Sequence, residues 1–389
     1  MPCVYGSKQW ATSFCRNDPG RLVRLISPEN LEDIALGAAV LGSGGGGDPY
    51  IGKLMGIDAL RKYGPVQLVS PDEISDDCLV VISAMMGAPT VMVEKLPRGT
   101  EIVDAFLALQ TYLDRTIDYT TAAEAGGLNS TTPFTLAARL RIPMVDADGM
   151  GRAFPEIQMV TPTMFGIAAT PMAIADEKGN ASIINTMDNR WTERLARTIC
   201  IQMGTTAMIA LFPMTGRQLK ESMVAGTLTR AEHIGETIRQ ARQQHQNPIE
   251  ALRTVTGGCE LFRGKVADVQ RRTETGFTRG EATFQGTDGW DGRQLTLRFQ
   301  NEHLLAVRDG KVVASVPDLI TVLDAETGEP VTTEGLRYGF RAAILGIPCD
   351  PKWRTADGLA LVGPRYFNYD IDYVPVEERL AEKSARAFI

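Results

Sequence analysis

Apolar positions in the first 150 residues alternate between helical spacing and the short continuous runs that are typical of buried strands. A helix is predicted to begin after Ser27, where a capping serine, a proline and an acidic first turn precede apolar residues, and to end at Gly42. The elements predicted after it are a helix capped by Asp48, strands at 66–69 and 78–86, a helix from Thr100 to Leu113, a strand at 117–121, a helix opened by Thr132 and Pro133, and a strand at 142–145. This alternation predicts an α/β fold with a mixed, largely parallel sheet and crossover helices.

The pattern changes twice in the second half of the chain. Helical spacing dominates residues 191–256, where one apolar face runs from Trp191 to Met203 and capping boxes are predicted at Thr229 and Asn247. From residue 257 to residue 389 short strands alternate with Asp-Gly and Thr-Gly turns. This part of the chain is therefore predicted to be β-rich.

The chain has 389 residues, of which 44% are apolar and 22% are charged, as in a folded globular protein. At about 150 residues per domain this length corresponds to two or three domains, and two is the simpler expectation. We expect an N-terminal α/β domain with a glycine-rich loop at 1–190 and a C-terminal domain at 191–389. Residues 1–26 show no clear period and are expected to form an arm across the body or a neighbouring subunit. A homo-oligomer is expected.

Charge and cysteine content narrow the choice of partners. A net charge of -7 leaves no basic face large enough to neutralise many phosphates, so nucleic acid is not an expected partner. No signal-peptide pattern is visible, and no apolar stretch approaches the ~20 residues of a membrane-spanning helix. The six cysteines include no CxxC pair, which argues against a disulfide framework or a zinc ribbon. We expect a cytoplasmic protein that acts on a small molecule and contacts no membrane.

The most unusual segment is the glycine-rich stretch LGSGGGGDPY at 41–50. So many glycines imply left-handed backbone or the close approach of another group, and bare amides beside a helix start can hold an anion or a carbonyl oxygen. The dinucleotide pattern fails here because a helix precedes it, and the phosphate-loop pattern fails because Leu54 replaces the required hydroxyl. No nucleotide is expected. The alternatives are a tight helix–helix turn or a ligand loop built from Gly44, Gly45, Gly46, Gly47 and Asp48.

Carboxylates and amides follow two of the predicted strands, at the strand ends where open α/β sheets bind ligands. Glu124, Asn129 and Ser130 lie in EAGGLNS, and Asp146 and Asp148 lie in DADGMGRAFPE. The first set could instead be a solvated acid and helix caps, and the second an Asp-Gly turn with an Asp-Arg pair. If neighbouring strand ends converge, a carboxylate pair in different environments can divide the general base and general acid roles.

Six sequence blocks carry a family resemblance: LGSGGGGDPYIG, EAGGLNS, DADGMGRAFPE, FRGKVADVQRRTETGFTRG, VPDLITVLDAETGEP and GLRYGFRAAILGIP. Together they resemble the S-methyl thiohydantoin desulfurase family, which has also been labelled hydantoinase-like or oxoprolinase-like. The resemblance extends from about Pro28 to Tyr373. It implies two domains and a substrate with a five-membered ring of the hydantoin type.

The implied reaction is the addition of water to a C=N carbon that bears a thioether, with loss of methanethiol. On this basis the glycines at 44–47 would hold the ring carbonyl or a substrate carboxylate, and Glu124 or Asp148 would be the base. Asp48, Asn129 and Asp146 would orient the ring or a metal. The cofactor stays open, with a divalent metal as one option, because the three histidines show no ligand spacing. The alternatives are a binding or regulatory protein for cyclic ureides and an ATP-dependent hydantoin hydrolase.

Overall fold

The structure is a computed structural model that describes residues 23–88, 91, 95, 97–274 and 277–379. Most of the predicted N-terminal arm lies outside these described residues. The helices are α1 (Pro28–Leu41), α2 (Tyr50–Tyr63), α3 (Glu101–Leu113), α4 (Thr132–Leu140), α5 (Thr161–Met164), α6 (Asn189–Gln202), α7 (Gly216–Ser222), α8 (Thr227–Gln243), α9 (Pro248–Thr256) and α10 (Ala356–Val362). The strands are β1 (Leu25–Ile26), β2 (Val66–Val69), β3 (Leu79–Gly87), β4 (Tyr119–Ala122), β5 (Met144–Asp148), β6 (Met172–Ala175), β7 (Ala181–Ile184), β8 (Thr206–Thr215), β9 (Val224–Ala225), β10 (Cys259–Glu274), β11 (Phe277–Gly286), β12 (Gln294–Gln300), β13 (Glu302–Arg308), β14 (Lys311–Ser315), β15 (Leu319–Asp324) and β16 (Arg341–Ile347).

The first sheet is mixed, as the sequence predicts, and helices cover it, but it is not largely parallel, because only three of the eight strand pairs among the described residues are parallel. Its strand order is β1-β2-β5-β4-β3-β8-β6-β7, with β9 beside β5. Only the neighbours β2-β5, β5-β4 and β4-β3 pair in parallel among the described residues, and the other pairs are antiparallel. The carboxyl ends of the parallel strands therefore lie at one edge, which is where the functional site is found.

The second sheet confirms the predicted β-rich part of the chain. It is antiparallel with the order β14-β13-β12-β11-β10-β16-β15, and one face buries a core that includes Phe262, Phe284 and Leu297. Strand β8 lies in the first sheet between β3 and β6. The first sheet thus contains strands that precede residue 190 and strands that follow it. The predicted division of the chain into two domains at residue 190 stays a prediction.

Several helix ends follow the predicted capping residues, but the cap predicted at Asp48 is wrong, because Pro49 is the N-cap residue of α2. The Ser27 side chain accepts from the Asn30 amide, α1 ends at Gly42, and Asn247 caps α9. The capping box predicted at Thr229 is wrong, because the N-cap residue of α8 is Gly226, three residues earlier. The Thr229 hydroxyl instead donates to a carboxylate of β5.

The N-terminal part of the apolar face predicted for α6 points outward, whereas Met203 at its other end is buried. Trp191 and Leu195 are 43% and 42% exposed, while the buried side of the helix carries Thr192, Glu193 and Ala196. The Glu193 carboxylate accepts from the Ile157 amide at 3.0 Å, so hydrogen bonding to a neighbouring loop sets the orientation of this helix.

Helices α1 and α8 cross at glycines. A Cβ atom on Gly37 would lie 1.8 Å from the Ala231 carbonyl oxygen, and one on Gly235 would lie 1.9 Å from the Asp33 carbonyl oxygen. Because both obstacles are backbone atoms, no side-chain rotation can relieve them. The two helices can pack at this distance only with glycine at both positions.

The substitution Gly37→Ala is therefore expected to lower the free energy of unfolding by about 2 kcal/mol. Overpacking costs about 1–3 kcal/mol, and contact with backbone places this case at the upper end, while alanine returns about 1 kcal/mol of helix propensity. Urea denaturation followed by circular dichroism measures the change. Glu32→Ala, at an exposed position of the same helix, should stay within about 0.5 kcal/mol of the wild type. Equal stability of Gly37→Ala and the wild type would contradict the close crossing.

Candidate functional site

A cavity of about 110 Å³ lies between the first sheet and the start of β13, at the carboxyl ends of the parallel strands. Its polar lining comes from the glycine-rich loop, the segments after β4 and β5, helix α6, the turn before β13 and Glu334. Its apolar lining comes from β3, β8 and the segment after β5. The lining residues include Gly45, Gly46, Gly47, Ile82, Ala84, Glu124, Asn129, Phe154, Glu193, Arg197, Ile209, Leu211, Phe212 and Glu302.

The glycine-rich loop is shaped by the close approach of β13. A Cβ atom on Gly45 would lie 2.1 Å from Glu302 Oε1, and one on Gly44 would lie 2.4 Å from Cε1 of the His303 ring. Gly44, Gly46 and Gly47 all have positive φ angles, which glycine adopts without strain. The glycine-rich sequence predicts that another group lies close to this backbone. In the structure that group is the pair of side chains Glu302 and His303, which belong to the protein itself.

The loop is tied to the second sheet by main-chain hydrogen bonds. The His303 amide donates to the Ser43 carbonyl oxygen and the Thr333 amide to the Gly44 carbonyl oxygen, each at 2.8 Å. The Gly45 amide donates to the Gly42 carbonyl oxygen at 2.9 Å, and the Gly46 amide to Glu302 Oε1 at 3.3 Å. Two amides of the predicted ligand cradle are thus already engaged within the protein.

Glu124 reaches the cavity directly after β4, as the strand-end argument predicts for a functional acid. Its Oε1 accepts from Asn129 Nδ2 at 2.9 Å, while Oε2 is buried with no hydrogen-bond partner among the described residues. Asn129 is held in turn by the Met85 backbone, whose amide donates to its Oδ1 at 2.6 Å. The asparagine therefore positions Glu124, and its own hydrogen-bonding groups are occupied.

Glu302 brings a second buried carboxyl group to the same cavity. Its Oε2, like that of Glu124, lies buried without a partner in the described part of the chain. Burial raises the pKa of Glu302 to about 8, against the opposing effects of Arg152 and the Gly46 amide. Burial also raises the pKa of Glu124 well above its usual range, and the charge of Glu302 raises it further. The pair can hold a proton at neutral pH.

Arg152 lies behind this pair and is fully buried. Its Nη1 donates to the carbonyl oxygens of Pro317 and Asp318 at 2.7 and 2.9 Å, its Nε donates to the Ala153 carbonyl oxygen, and Nη2 has no partner in the described residues. Burial lowers its pKa to about 10, which still leaves it cationic at neutral pH. The carboxylate with the largest effect on this pKa is Glu302, so the cation favours ionisation of that member of the pair.

Asp148 is equally buried but lies outside the cavity lining. Both of its oxygens accept from the Gly151 amide, at 2.8 and 2.9 Å, and one also accepts from the Ala125 amide. Burial raises its pKa to about 7, while these amides act in the opposite direction. Asp148 joins the segment that carries Glu124 to the segment that carries Arg152, and both of its oxygens accept from backbone amides.

The other residues predicted from the sequence lie away from the cavity. Asp146 accepts from the Leu228 and Thr229 amides at 3.0 and 3.2 Å and so caps α8. Asp48 is exposed and accepts from the Tyr50 amide, in a local turn. The Ser130 hydroxyl donates to the Gly127 carbonyl oxygen. The structure therefore gathers the glycine-rich loop, Glu124 and Asn129 at the site and leaves these three side chains outside it.

The described residues contain no group of three or more His, Cys, Asp or Glu side chains that could hold a metal ion. In the same part of the chain, none of the helices has the length and apolar character that a membrane crossing requires.

Sequence reasoning missed Glu302 and Arg152. The available signal for Glu302 is an acid beside a histidine at the start of an apolar strand, in the segment QNEHLLAV. This local pattern does not predict that β13 packs against the glycine-rich loop. Arg152 was visible only as the basic member of an Asp-Arg pair, whereas in the structure its polar contacts are to carbonyl oxygens.

A solved structure supports the same architecture. A crystal structure of a protein from Chromobacterium violaceum, determined in a structural genomics programme, is 28% identical to this chain with a TM-score of 0.76. The match covers 91% of this chain and 100% of that chain. No curated protein matches this chain.

Two family models match along the chain. The model described as S-Me-THD-like, C-terminal domain matches residues 187–376, and the model described as S-Me-THD-like, N-terminal domain matches residues 29–186. Together they span the glycine-rich loop, Glu124 and Glu302. The chain therefore belongs to the S-Me-THD-like family, the S-methyl thiohydantoin desulfurase family that its sequence blocks resemble.

Proposed function

We propose that this protein hydrolyses the thioether carbon of an S-alkyl thiohydantoin ring and releases a thiol. The observation that carries the proposal is the pair of buried carboxyl groups, Glu124 and Glu302, each with an unpartnered oxygen at one cavity. Burying two acids side by side is costly unless one of them keeps its proton. Such a pair supplies a general base and a general acid at the same place.

The surroundings of the two acids favour Glu302 as the base and Glu124 as the acid. Arg152 and the Gly46 amide stabilise the carboxylate form of Glu302. Once Glu302 is ionised, its charge helps to keep the proton on Glu124. Asn129 holds Glu124 through Oε1 and leaves Oε2 open to the cavity.

The reaction then balances with water as the only co-substrate. Glu302 takes a proton from water as the water oxygen bonds to the ring carbon, and Glu124 gives its proton to the ring nitrogen, which receives the C=N electron pair. The tetrahedral carbon collapses to a carbonyl group, and the C–S bonding pair leaves with sulfur. The hydroxyl proton returns to Glu124, and the thiolate takes the proton held by Glu302. The products are a hydantoin and a thiol.

The cavity suits a small ring, and other observations disfavour the two alternatives to hydrolysis of a thiohydantoin. A cavity of about 150 Å³ takes up benzene, so about 110 Å³ suits a small ring. The phosphate-loop pattern fails at Leu54, which disfavours an ATP-dependent hydrolase. A protein that only binds a cyclic ureide would gain nothing from two acids with raised pKa values.

Glu124→Gln and Glu302→Gln are each expected to lower kcat for an S-methyl thiohydantoin by about 10²–10⁴-fold, because glutamine cannot transfer a proton. Release of methanethiol, detected with a thiol reagent, measures the rate. Asp48→Asn is the control, since this exposed side chain beside the glycine-rich loop makes only a local contact, and it should keep wild-type turnover. Full turnover by either glutamine variant would exclude that residue from the chemistry.

The pH dependence of kcat/KM should show a rise centred near pH 8, as Glu302 loses its proton and becomes the base. Removing the cation in Arg152→Gln disfavours the carboxylate, so the rise should move to higher pH by about one unit. Arg152→Lys keeps the charge and should show a smaller displacement. Rate measurements between pH 5 and pH 10, with folding checked by circular dichroism, provide the test; an identical profile in Arg152→Gln would contradict the assigned base.

A further inference from the structure

One part of the apolar lining of the cavity is a continuous face formed by the neighbouring strands β3 and β8 of the first sheet. Ile82 and Ala84 of β3 pair with Leu211 and Ile209 of β8, so these four side chains share one face of the two strands. The polar lining comes from other elements, among them those that carry Glu124 and Glu302. A ring with a polar edge and one sulfur substituent matches this cavity when its polar edge faces Glu124 and Glu302. Its alkyl substituent then lies against the β3–β8 face.

The strand β8 is interrupted at this face by a bulge. Val80 pairs with Met214 and Ile82 pairs with Leu211, so Phe212 and Pro213 together oppose the single residue Val81. A proline cannot donate to the ladder, which explains why pairing breaks here. One extra residue also breaks the alternation of side chains. As a result Phe212 belongs to the same buried cluster as Leu211, Ile209 and Ile82 instead of pointing to the other face.

The backbone of Phe212 is unusual for its residue type. Its φ angle is 51°, in the left-handed region that bulges normally reserve for glycine and that is disfavoured for a bulky side chain. Its amide donates to the Ala169 carbonyl oxygen at 3.0 Å, which helps to hold this conformation. The side chain is only 1% exposed and the residue lines the cavity. Strained residues of this kind cluster at ligand sites.

We propose that Phe212 is a specificity-determining residue that closes the apolar end of the cavity and limits the leaving thiol to a short alkyl chain. This inference rests on the proposed hydrolysis of S-alkyl thiohydantoins. With about 110 Å³ available, a small ring with a methyl group suits the space, and a longer alkyl chain that lies along the β3–β8 face would meet the phenyl ring. The bulge fixes the phenyl ring on the cavity face, where it sets a limit on length.

The test compares S-methyl and S-propyl thiohydantoin as substrates of the wild type, Phe212→Leu and Phe212→Gly. The wild type should favour the S-methyl compound by at least about 10-fold in kcat/KM, the lower end of what a misfit methylene costs in an apolar pocket. Both variants should reduce this preference by about 10-fold or more. Phe212→Gly relieves the left-handed strain, and Phe212→Leu keeps most of the apolar volume, so at least one variant is expected to fold.

The matched control is Phe134→Leu, the same change at a fully buried phenylalanine outside the cavity lining. It should keep the wild-type preference, since a general loss of packing does not act on substrate length. A preference that is unchanged in both Phe212 variants, or lost equally in Phe134→Leu, overturns the inference.

Calorimetry with the same two compounds separates this inference from the proposed function. If the wild type binds them without releasing thiol, the hydrolysis is wrong, and broader binding by the Phe212 variants would still support the size limit. If thiol is released but the variants keep the wild-type preference, the size limit alone is wrong. If neither compound binds, both are overturned.

Discussion

The site depends on the contact between the Glu302 carboxyl group and the backbone of Gly45 and Gly46. Any side chain at position 45 would overlap Glu302, and the amide of the next residue supplies its hydrogen bond. The neighbouring main-chain bonds from His303 and Thr333 hold the same loop against the second sheet. Through this contact an acid from the β-rich part reaches a cavity whose other walls belong to the α/β part.

Burial alone does not make a carboxyl group reactive, and the comparison of Glu302 with Asp148 shows the difference. Both are fully buried and both have a raised pKa, yet amides saturate Asp148, whereas one oxygen of Glu302 has no partner in the described residues. An unpartnered buried oxygen carries its full desolvation cost until a ligand satisfies it. Glu124 is in the same position, and Arg152 stabilises a single negative charge shared between the two acids. The electrostatic arrangement therefore suits a ligand that both accepts and donates a proton.

Local rules in the sequence predict the elements of the α/β part well and the site only in part. Caps such as Ser27 and Asn247 act within a few residues, so their helices begin where predicted. The strand-end rule correctly brings Glu124 to the cavity, but it ranks Asp146 equally, although that carboxylate caps α8. No local pattern links Glu302 to a glycine loop more than 250 residues earlier in the chain, because that proximity comes from the packing of the two sheets.

The features that break local rules are the ones that point most directly to the cavity. A run of glycines before a helix and a Phe-Pro pair inside an apolar strand are both unfavourable for the elements that contain them. In the structure the glycines admit Glu302, and the Phe-Pro bulge turns Phe212 onto the cavity face. Both departures line the same cavity, one in its polar part and one in its apolar part. The glycine run and the Phe-Pro bulge are both locally unfavourable. They occur at the cavity where, on the proposed function, a small ring with one polar edge and one apolar substituent would bind.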